Sequence, residues 1–405
     1  VDTRLLTRVT IRNYKSIAAC DVHPGPLTFL VGPNGSGKSN FLDALRFVSD
    51  SLRYSLDHAF RDRGGINDVR RRSSGHPTHF GIRLEFQLAR QHGHYSFSIG
   101  ARPRSGFVVH EECHVVDREE GATSFFKVTD GVVVKSTLRD APAAASDRLY
   151  LVTLSGIAAF RGIYNALSTM GFYNLNPDAI RDLQSPDPGE LLNRDGSNIA
   201  SVLANLNQRA PRQRRMIEEY LERVVPGISG VDAKQIGPKE TLEIQQAVRG
   251  AKNPRHFFAA SMSDGTLRAL GVLVALFQHD GVANGKRRLI GIEEPEAALH
   301  PAAAGVLTDG LRDAAEYSQV LVTSHSPDLL DDDDIPEGAI LAVVSEDGET
   351  RIGPLDGAAR SVLKDHLYTA GELLRMNQLQ PDPETSRLSP DQIELFGAAD
   401  STCAE

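Results

Sequence analysis

The run Gly32-Pro33-Asn34-Gly35-Ser36-Gly37-Lys38-Ser39 constrains this chain more than any other segment. It fits the pattern G-x-x-x-x-G-K-[ST]. It follows the apolar segment Leu27–Val31 and precedes an amphipathic stretch, Asn40–Ser51, with Phe41, Leu42, Leu45 and Val48 on one face. Strand, glycine-rich loop and helix in that order let successive backbone N–H groups converge on phosphate oxygens. Lys38 is expected to set its ammonium on the β- and γ-phosphates and Ser39 to ligate Mg2+. The start of the helix adds its positive end. A nucleoside triphosphate site with Mg2+ is predicted.

Three further segments carry chemistry. Arg288–Ile292 is a short apolar run ending in Glu293-Glu294-Pro295. A buried parallel strand of this kind delivers carboxylates to the C-terminal edge of a sheet, where ligands bind in α/β folds. Glu293 is the expected Mg2+ ligand, and Glu294 the group that orients and polarises the attacking water. Ser263 precedes a helix with Leu267, Leu270, Val274 and Phe277 on one side. Its hydroxyl and the Gly265 N–H read either as an anion-binding turn or as a plain helix cap. Leu321–Thr323 leads into Ser324-His325-Ser326-Pro327, a strand ending in a histidine that could reach a γ-phosphate or simply satisfy a loop carbonyl.

The chain has 405 residues, 40% of them hydrophobic and 24% charged, with no Trp. That suits a soluble globular protein of two or three units rather than a collagen-like, disordered or disulfide-scaffold chain. No apolar run approaches the ~20 residues that span a bilayer, and no signal peptide is evident. Cys20, Cys113 and Cys403 form no C-x-x-C. A cytoplasmic protein without a membrane partner is expected. Residues 328–405 hold 18 acidic and 5 basic side chains, net −13, so the overall −9 hides a body of +4.

Alternation predicts strands over 5–11, 19–22 and 27–31, then a long loop over 53–79. An antiparallel β lobe is predicted over 80–135 and helices over 147–225, with breaks at Gly171, Pro177 and Pro188. Two more strands are read over 230–236 and 241–248. From residue 257 the chain returns to α/β alternation: helix 264–279, strand 288–292, helix 301–315, strand 319–323, a short helix from Pro327, strand 339–345 and a helical piece over 358–377. Residues 1–84 and 251–380 are expected to build one α/β head. Residues 85–250 would be inserted into it as a β lobe plus helical lid, with 381–405 a disordered tail.

Taken together, the glycine-rich loop, the Ser263-Asp264-Gly265 turn, Glu293-Glu294-Pro295 and Thr323-Ser324-His325 resemble the ABC-type ATPase heads. The opening Ile11-Arg12-Asn13-Tyr14-Lys15-Ser16-Ile17 is similar to the RecF, structural-maintenance-of-chromosomes (SMC) and OLD branch. The phrase Glu293–Pro301 and the ending Leu367–Leu379 are similar to its small AAA-family ATPases. The resemblance implies an α/β P-loop NTPase head with an antiparallel β lobe and a helical insertion. It assigns Gly32–Ser39, with Asn40 beside it, to Walker A, Glu293 to Walker B and Glu294 to the catalytic base. Ser263 and Gly265 become the signature, His325 the switch histidine, and Asn13 and Lys15 nucleotide contacts. In such heads the signature of one copy caps ATP on the other, so an ATP-gated homodimer is implied.

Departures from the pattern are Glu293 for the usual Asp, Asp264 for Gly and His300 for Asp. Asp264 would place a negative charge near the γ-phosphate. The Q-loop glutamine has only Gln87 and Gln91 as nearby candidates. No TOPRIM nuclease pattern is found in this chain, so a separately encoded effector, such as a nuclease, is one expected partner. DNA is the other. Arg61, Arg63, Arg70, Arg71 and Arg72, and Arg209, Arg212, Arg214 and Arg215, could follow a phosphate backbone or could be solvated loops. The acidic run Asp331–Asp334 reads as a solvated turn. The expected activity is slow ATP hydrolysis in DNA repair or in defence against foreign DNA.

Overall fold

In the computed structural model, residues 3–72, 79–101, 106–145, 147–250, 253–278 and 288–384 are described. Five parallel strands form the centre. Leu27–Val31 lies between Gln319–Ser324 and Ile340–Glu346; Leu289–Glu293 and then Gly171–Tyr173 follow beyond Gln319–Ser324. Gln319–Ser324 is buried along its whole length, as a parallel strand covered on both faces must be. Its neighbours divide their side chains with period two. Phe29, Val31, Ile290, Ile292, Val320 and Val322 enter one core, whereas Leu30, Leu289, Leu321, Leu341 and Val343 enter the other.

Each face is covered by a helix that carries a site motif. The helix Lys38–Arg53 packs Phe41, Leu42, Leu45 and Val48 into the second core. The helix Asp264–Phe277 fills the first core, with Ile199–Arg209, Pro211–Val224 and a small sheet of Ile228–Ile236, Lys239–Gln246 and Arg255–Phe258 beside it.

On the far side of Ile340–Glu346 the sheet continues through Glu349–Pro354, Ile17–Val22, Leu6–Tyr14, His79–Gln87, Gln91–Ala101, Phe107–Asp117, Thr123–Thr129 and Val132–Ser136. That makes 13 strands in all among the described residues. The antiparallel β meander expected over 80–135 is therefore present, and it continues the central sheet. The division drawn between residues 84 and 85 falls inside His79–Gln87, which pairs along Leu6–Tyr14. Gly171–Tyr173, from the segment expected as a helical lid, is the edge partner of Leu289–Glu293. Alternation reveals that a segment is a strand; it does not reveal the neighbour to which its backbone bonds.

Other differences have local causes. Residues 53–72 are not a plain loop, because Leu56–Arg61 and Ile66–Val69 are short helices. Arg63 is buried between Asp43 (3.0 Å) and Asp50 (2.9 Å), with its guanidinium over the Phe47 ring. Pro177 begins a helix at its first turn instead of ending one, with Asn176 as cap. The strands Arg255–Phe258 and Glu349–Pro354 escape the sequence reading. Of the tail, Pro381 bridges to Leu355 and the Asp382 N–H donates to the Pro354 carbonyl; residues 385–405, with Cys403, lie outside the described residues. Cys20 and Cys113 are free and buried. No helix among the described residues is long and apolar enough to cross a membrane.

Candidate nucleotide site

Register brings the motifs together. Ser324 pairs with Val31, and Glu293 with Thr323, so the glycine-rich loop, Glu294 and His325 all leave the C-terminal ends of adjacent parallel strands. The loop itself is held by close backbone approach. A Cβ on Gly32 would lie 1.9 Å from the Val343 carbonyl oxygen, and one on Gly37, at φ 103°, would lie 2.0 Å from Thr350 Oγ1. Only glycine fits there.

Thr350 does more than crowd Gly37. Its hydroxyl donates to the Ser36 carbonyl (2.9 Å) and is bonded to Ser16 Oγ (2.7 Å), which accepts from Asn40 Nδ2 (2.7 Å). This relay ties the loop to both ends of the sequence. It also gives Asn40, expected as a nucleotide contact, a scaffold partner. Lys38 is buried, and its ammonium donates to the Gly32 (2.8 Å) and Pro33 (2.9 Å) carbonyls. Burial pulls the Lys38 ammonium below the ordinary lysine value, against the opposing influence of Glu294 and Glu296. Ser36 Oγ is buried without a hydrogen-bond partner, and Ser39 is exposed. An unpartnered hydroxyl, a glycine cradle and an ammonium resting on its own loop fit a triphosphate. The Ser39 hydroxyl and the Glu293 carboxylate are the hard oxygen donors that Mg2+ prefers.

The carboxylates differ in their surroundings. Glu294 takes φ 45°, an unusual conformation for a side chain of its size. Its N–H donates to the Thr323 carbonyl (3.0 Å), and its own carbonyl accepts from Arg268 Nη2 (3.2 Å). That turn aims Oε1 at His325 Nδ1, 3.1 Å away. Glu293 Oε1 meets Arg194 Nη2 at 2.7 Å. A third acid, Glu296, was not assigned by sequence. Its Oε1 accepts from Ser324 Oγ (2.6 Å), its Oε2 is buried and unpartnered, and burial raises its pKa, opposed by the Ser324 bond. Ser324 Oγ also accepts from the Ser326 N–H (3.0 Å), so Glu296 braces the turn that carries His325.

Ser263 caps its helix by accepting from the Thr266 N–H (3.2 Å). A Cβ on Gly265 would sit 2.5 Å from the Ala298 carbonyl oxygen, which presses this turn against the segment after Pro295. The charge of Asp264 is met by Arg181, which forms an ion pair with it. Among the described residues, no hydrogen bond or ion pair joins Ser263–Gly265 to Gly32–Ser39.

Asn13 and Lys15 lie in a tight hairpin turn at φ 54° and 48°. Lys15 pairs with Asp43 (2.6 Å), and Asn13 donates to the His79 carbonyl (3.3 Å), so both have partners in the scaffold. Gln91 donates to the Ala159 carbonyl (3.1 Å), away from the carboxylates. The strand beside Leu289–Glu293 leads instead into Asn174-Leu175-Asn176, and Arg268 reaches the Leu175 carbonyl (2.8 Å). His300 closes its own turn by accepting from the Ala302 N–H.

The arginine clusters are largely spoken for. Arg61 pairs with Asp57, Arg71 with Glu349, Arg72 with Asp68, and Arg214 with Glu218 and Asp232; Arg70 donates to the Asn67 side chain. Arg209, Arg212 and Arg215 are exposed. Asp331 and Asp332 pair with Arg375 and Arg312, and no group of acids, histidines and cysteines suited to a metal occurs among the described residues.

The family model described as "AAA domain, putative AbiEii toxin, Type IV TA system" matches residues 27–331. No curated protein matches. Among solved structures, an SMC head bound to the C-winged helix domain of ScpA aligns over 88% of this chain and 99% of its own, at 15% identity and a TM-score of 0.54. A Pyrococcus furiosus Smc head with an extended coiled coil covers 90% of this chain and 100% of its own, at 14% identity and a TM-score of 0.48. The first of these likenesses carries the fold, an ABC-type head.

Proposed function

This chain belongs to that AAA-domain family and has the fold of an SMC-like ATPase head, and on that premise we propose that it hydrolyses ATP with Mg2+ as a head-to-tail homodimer. The observation that carries this reading is the Glu294–His325 pair, 3.1 Å apart and beside the loop that buries Lys38. Lys38 leaves the Gly32 and Pro33 carbonyls for phosphate oxygens. Glu294 accepts a proton from the attacking water as its oxygen bonds to the γ-phosphorus and the bond to the β-phosphate oxygen breaks. His325 holds the Glu294 carboxylate through Nδ1, and its doubly protonated form also donates to the γ-phosphate. Ser39 and Glu293 would hold Mg2+, which would supply positive charge against the triphosphate.

The dimer is supported by the exposed Ser263 turn, which among the described residues makes no hydrogen bond or ion pair with the loop of its own chain. A second copy can lay this turn on the first copy's triphosphate. Arg181 beside Asp264 offsets the charge that would oppose that contact. Nucleotide binding by the wild type and by Lys38→Ala tests the site: retained affinity in the variant rejects it.

The biological role we propose is DNA maintenance or defence against foreign DNA. A second reading is favoured by the self-paired arginines and by the solved SMC head that is bound to a ScpA domain. In it the head senses nucleotide and holds or releases a separately encoded effector. Several-fold stimulation of turnover by duplex DNA supports direct action on DNA. Unchanged turnover, with nucleotide-dependent capture of a protein encoded beside it, supports the effector reading.

A further inference from the structure

The Glu293 carboxylate already has a cation. Arg194 Nη2 lies 2.7 Å from Glu293 Oε1, and Glu293 is mostly shielded, with 17% of its side chain exposed. The arginine is held in place by its backbone. Its carbonyl accepts from the Asn174 N–H (2.9 Å), and the Asp195 carbonyl accepts from the Asn176 N–H (3.0 Å). The Asn198 side chain accepts from the Asn193 N–H (2.7 Å) and donates to the Asp187 carboxylate (2.8 Å). The loop 193–198 is thereby fastened to the residues that follow Gly171–Tyr173, the strand paired with Leu289–Glu293 itself.

A guanidinium and a divalent cation compete for one carboxylate. They repel each other, and a bidentate or direct bond to one removes lone pairs from the other. The guanidinium has room to leave. A cavity of about 770 Å3 opens beside it, lined by Asn174, Asn176, Asn193, Ser197 and Arg268. Arg194 itself lines this cavity, and its walls carry the Asp195 carboxylate and Asn and Ser side chains, with Arg268 as the opposing charge.

We infer that Arg194 is a positioning residue that occupies the metal carboxylate until Mg2+ displaces it into this cavity. This rests on the Mg-ATP reading above. Arg194 keeps Glu293 ordered and neutral in charge balance without metal, and it raises the Mg2+ concentration needed to load the site. Because the Arg194 carbonyl is bonded to the Asn174 N–H and the neighbouring Asp195 carbonyl to the Asn176 N–H, metal loading is also felt at residues 174–176, where Arg268 of the helix Asp264–Phe277 meets the Leu175 carbonyl.

The test is a Mg2+ titration of the binding of a fluorescent ATP analogue by the full chain, with a parallel titration in EDTA. Arg194→Gln is expected to lower the half-maximal Mg2+ at least fivefold and to leave affinity in EDTA within twofold of wild type. Arg194→Lys, which keeps the charge, stays near wild type. In a Glu293→Gln background, Arg194→Gln has no further effect on the Mg2+ requirement. An unchanged Mg2+ midpoint in Arg194→Gln overturns the inference, as does an equal change with and without metal, which marks a merely structural role. If wild-type binding does not depend on Mg2+, the Mg-ATP reading falls and this inference with it. If it does and Arg194→Gln matches it, the inference alone falls.

Discussion

Glu294 Oε1 and His325 Nδ1 lie 3.1 Å apart at the ends of neighbouring parallel strands, 31 positions apart in the chain. The contact needs the left-handed conformation at Glu294, which turns its side chain back along the sheet edge. Glu294→Gln keeps the shape and removes the base. Turnover is expected to fall by about 10²–10⁴, while binding of a fluorescent ATP analogue stays within a few-fold of wild type. Light scattering in saturating Mg-ATP is expected to find the variant as a dimer; a monomer there counts against the paired-head arrangement.

Complementation tests that arrangement directly. Lys38→Ala and Ser263→Arg are each expected to be inactive. Random pairing in an equal mixture makes half the dimers mixed, and each mixed dimer has one of its two composite sites intact, so about a quarter of wild-type turnover returns. Phosphate release from the mixture reads this out. No recovery, from variants that associate, leaves each chain with a site of its own.

Thr350 is the residue through which the last strand of the central sheet holds the phosphate loop. Thr350→Val keeps the volume, strands the buried Ser36 carbonyl and leaves Ser16 Oγ with only its bond from Asn40. A loss of about 1–3 kcal/mol is expected in denaturant unfolding. Nucleotide affinity should fall with it, since the loop loses the bond that sets its curvature. Unchanged affinity would mean that the loop keeps its shape without this relay.

Glu111, buried in the meander, accepts from the Tyr95 hydroxyl (2.8 Å) and from the Leu151 and Tyr150 N–H groups. Burial nevertheless pushes its carboxyl up to about 7 from an ordinary 4.5. Between those values the unfolded chain releases a proton that the folded chain keeps. The stability gained from this group is complete below pH ~4.5 and is lost as pH rises to about 7, by roughly 3 kcal/mol at most. Glu111→Gln loses that slope. The difference between wild-type and variant unfolding free energies, measured from pH 4.5 to 8, should change across this window and level off above it. A constant difference rejects the buried-proton account.

The four site motifs were legible because each is a local pattern whose chemistry depends on short spacing. Gly32–Ser39 must turn tightly between strand and helix, and Leu289–Glu293 must be apolar to lie between two covered faces. The charge that Asp264 seemed to leave bare is met by Arg181, 83 positions earlier. Arg63, grouped by sequence with surface arginines, is locked inside by Asp43 and Asp50, and together with Lys15 it holds the Asp43 carboxyl well below the usual range despite the opposing cost of burial. An arginine reads the same in sequence whether its partner is water or a buried carboxylate.

From its order of residues alone, the chain determined which segments are strands and helices at its core and which short runs can carry phosphate and carboxylate chemistry. These follow from backbone sterics and from the period of apolar side chains, which act over a few residues. Only the tertiary structure decided that Thr350 and Ser16 hold the phosphate loop, that Arg194 rests on Glu293, and that the meander continues the central sheet. Those contacts join groups from 24 to 334 positions apart. They depend on which strand edges meet once both cores have closed, and no local pattern encodes that.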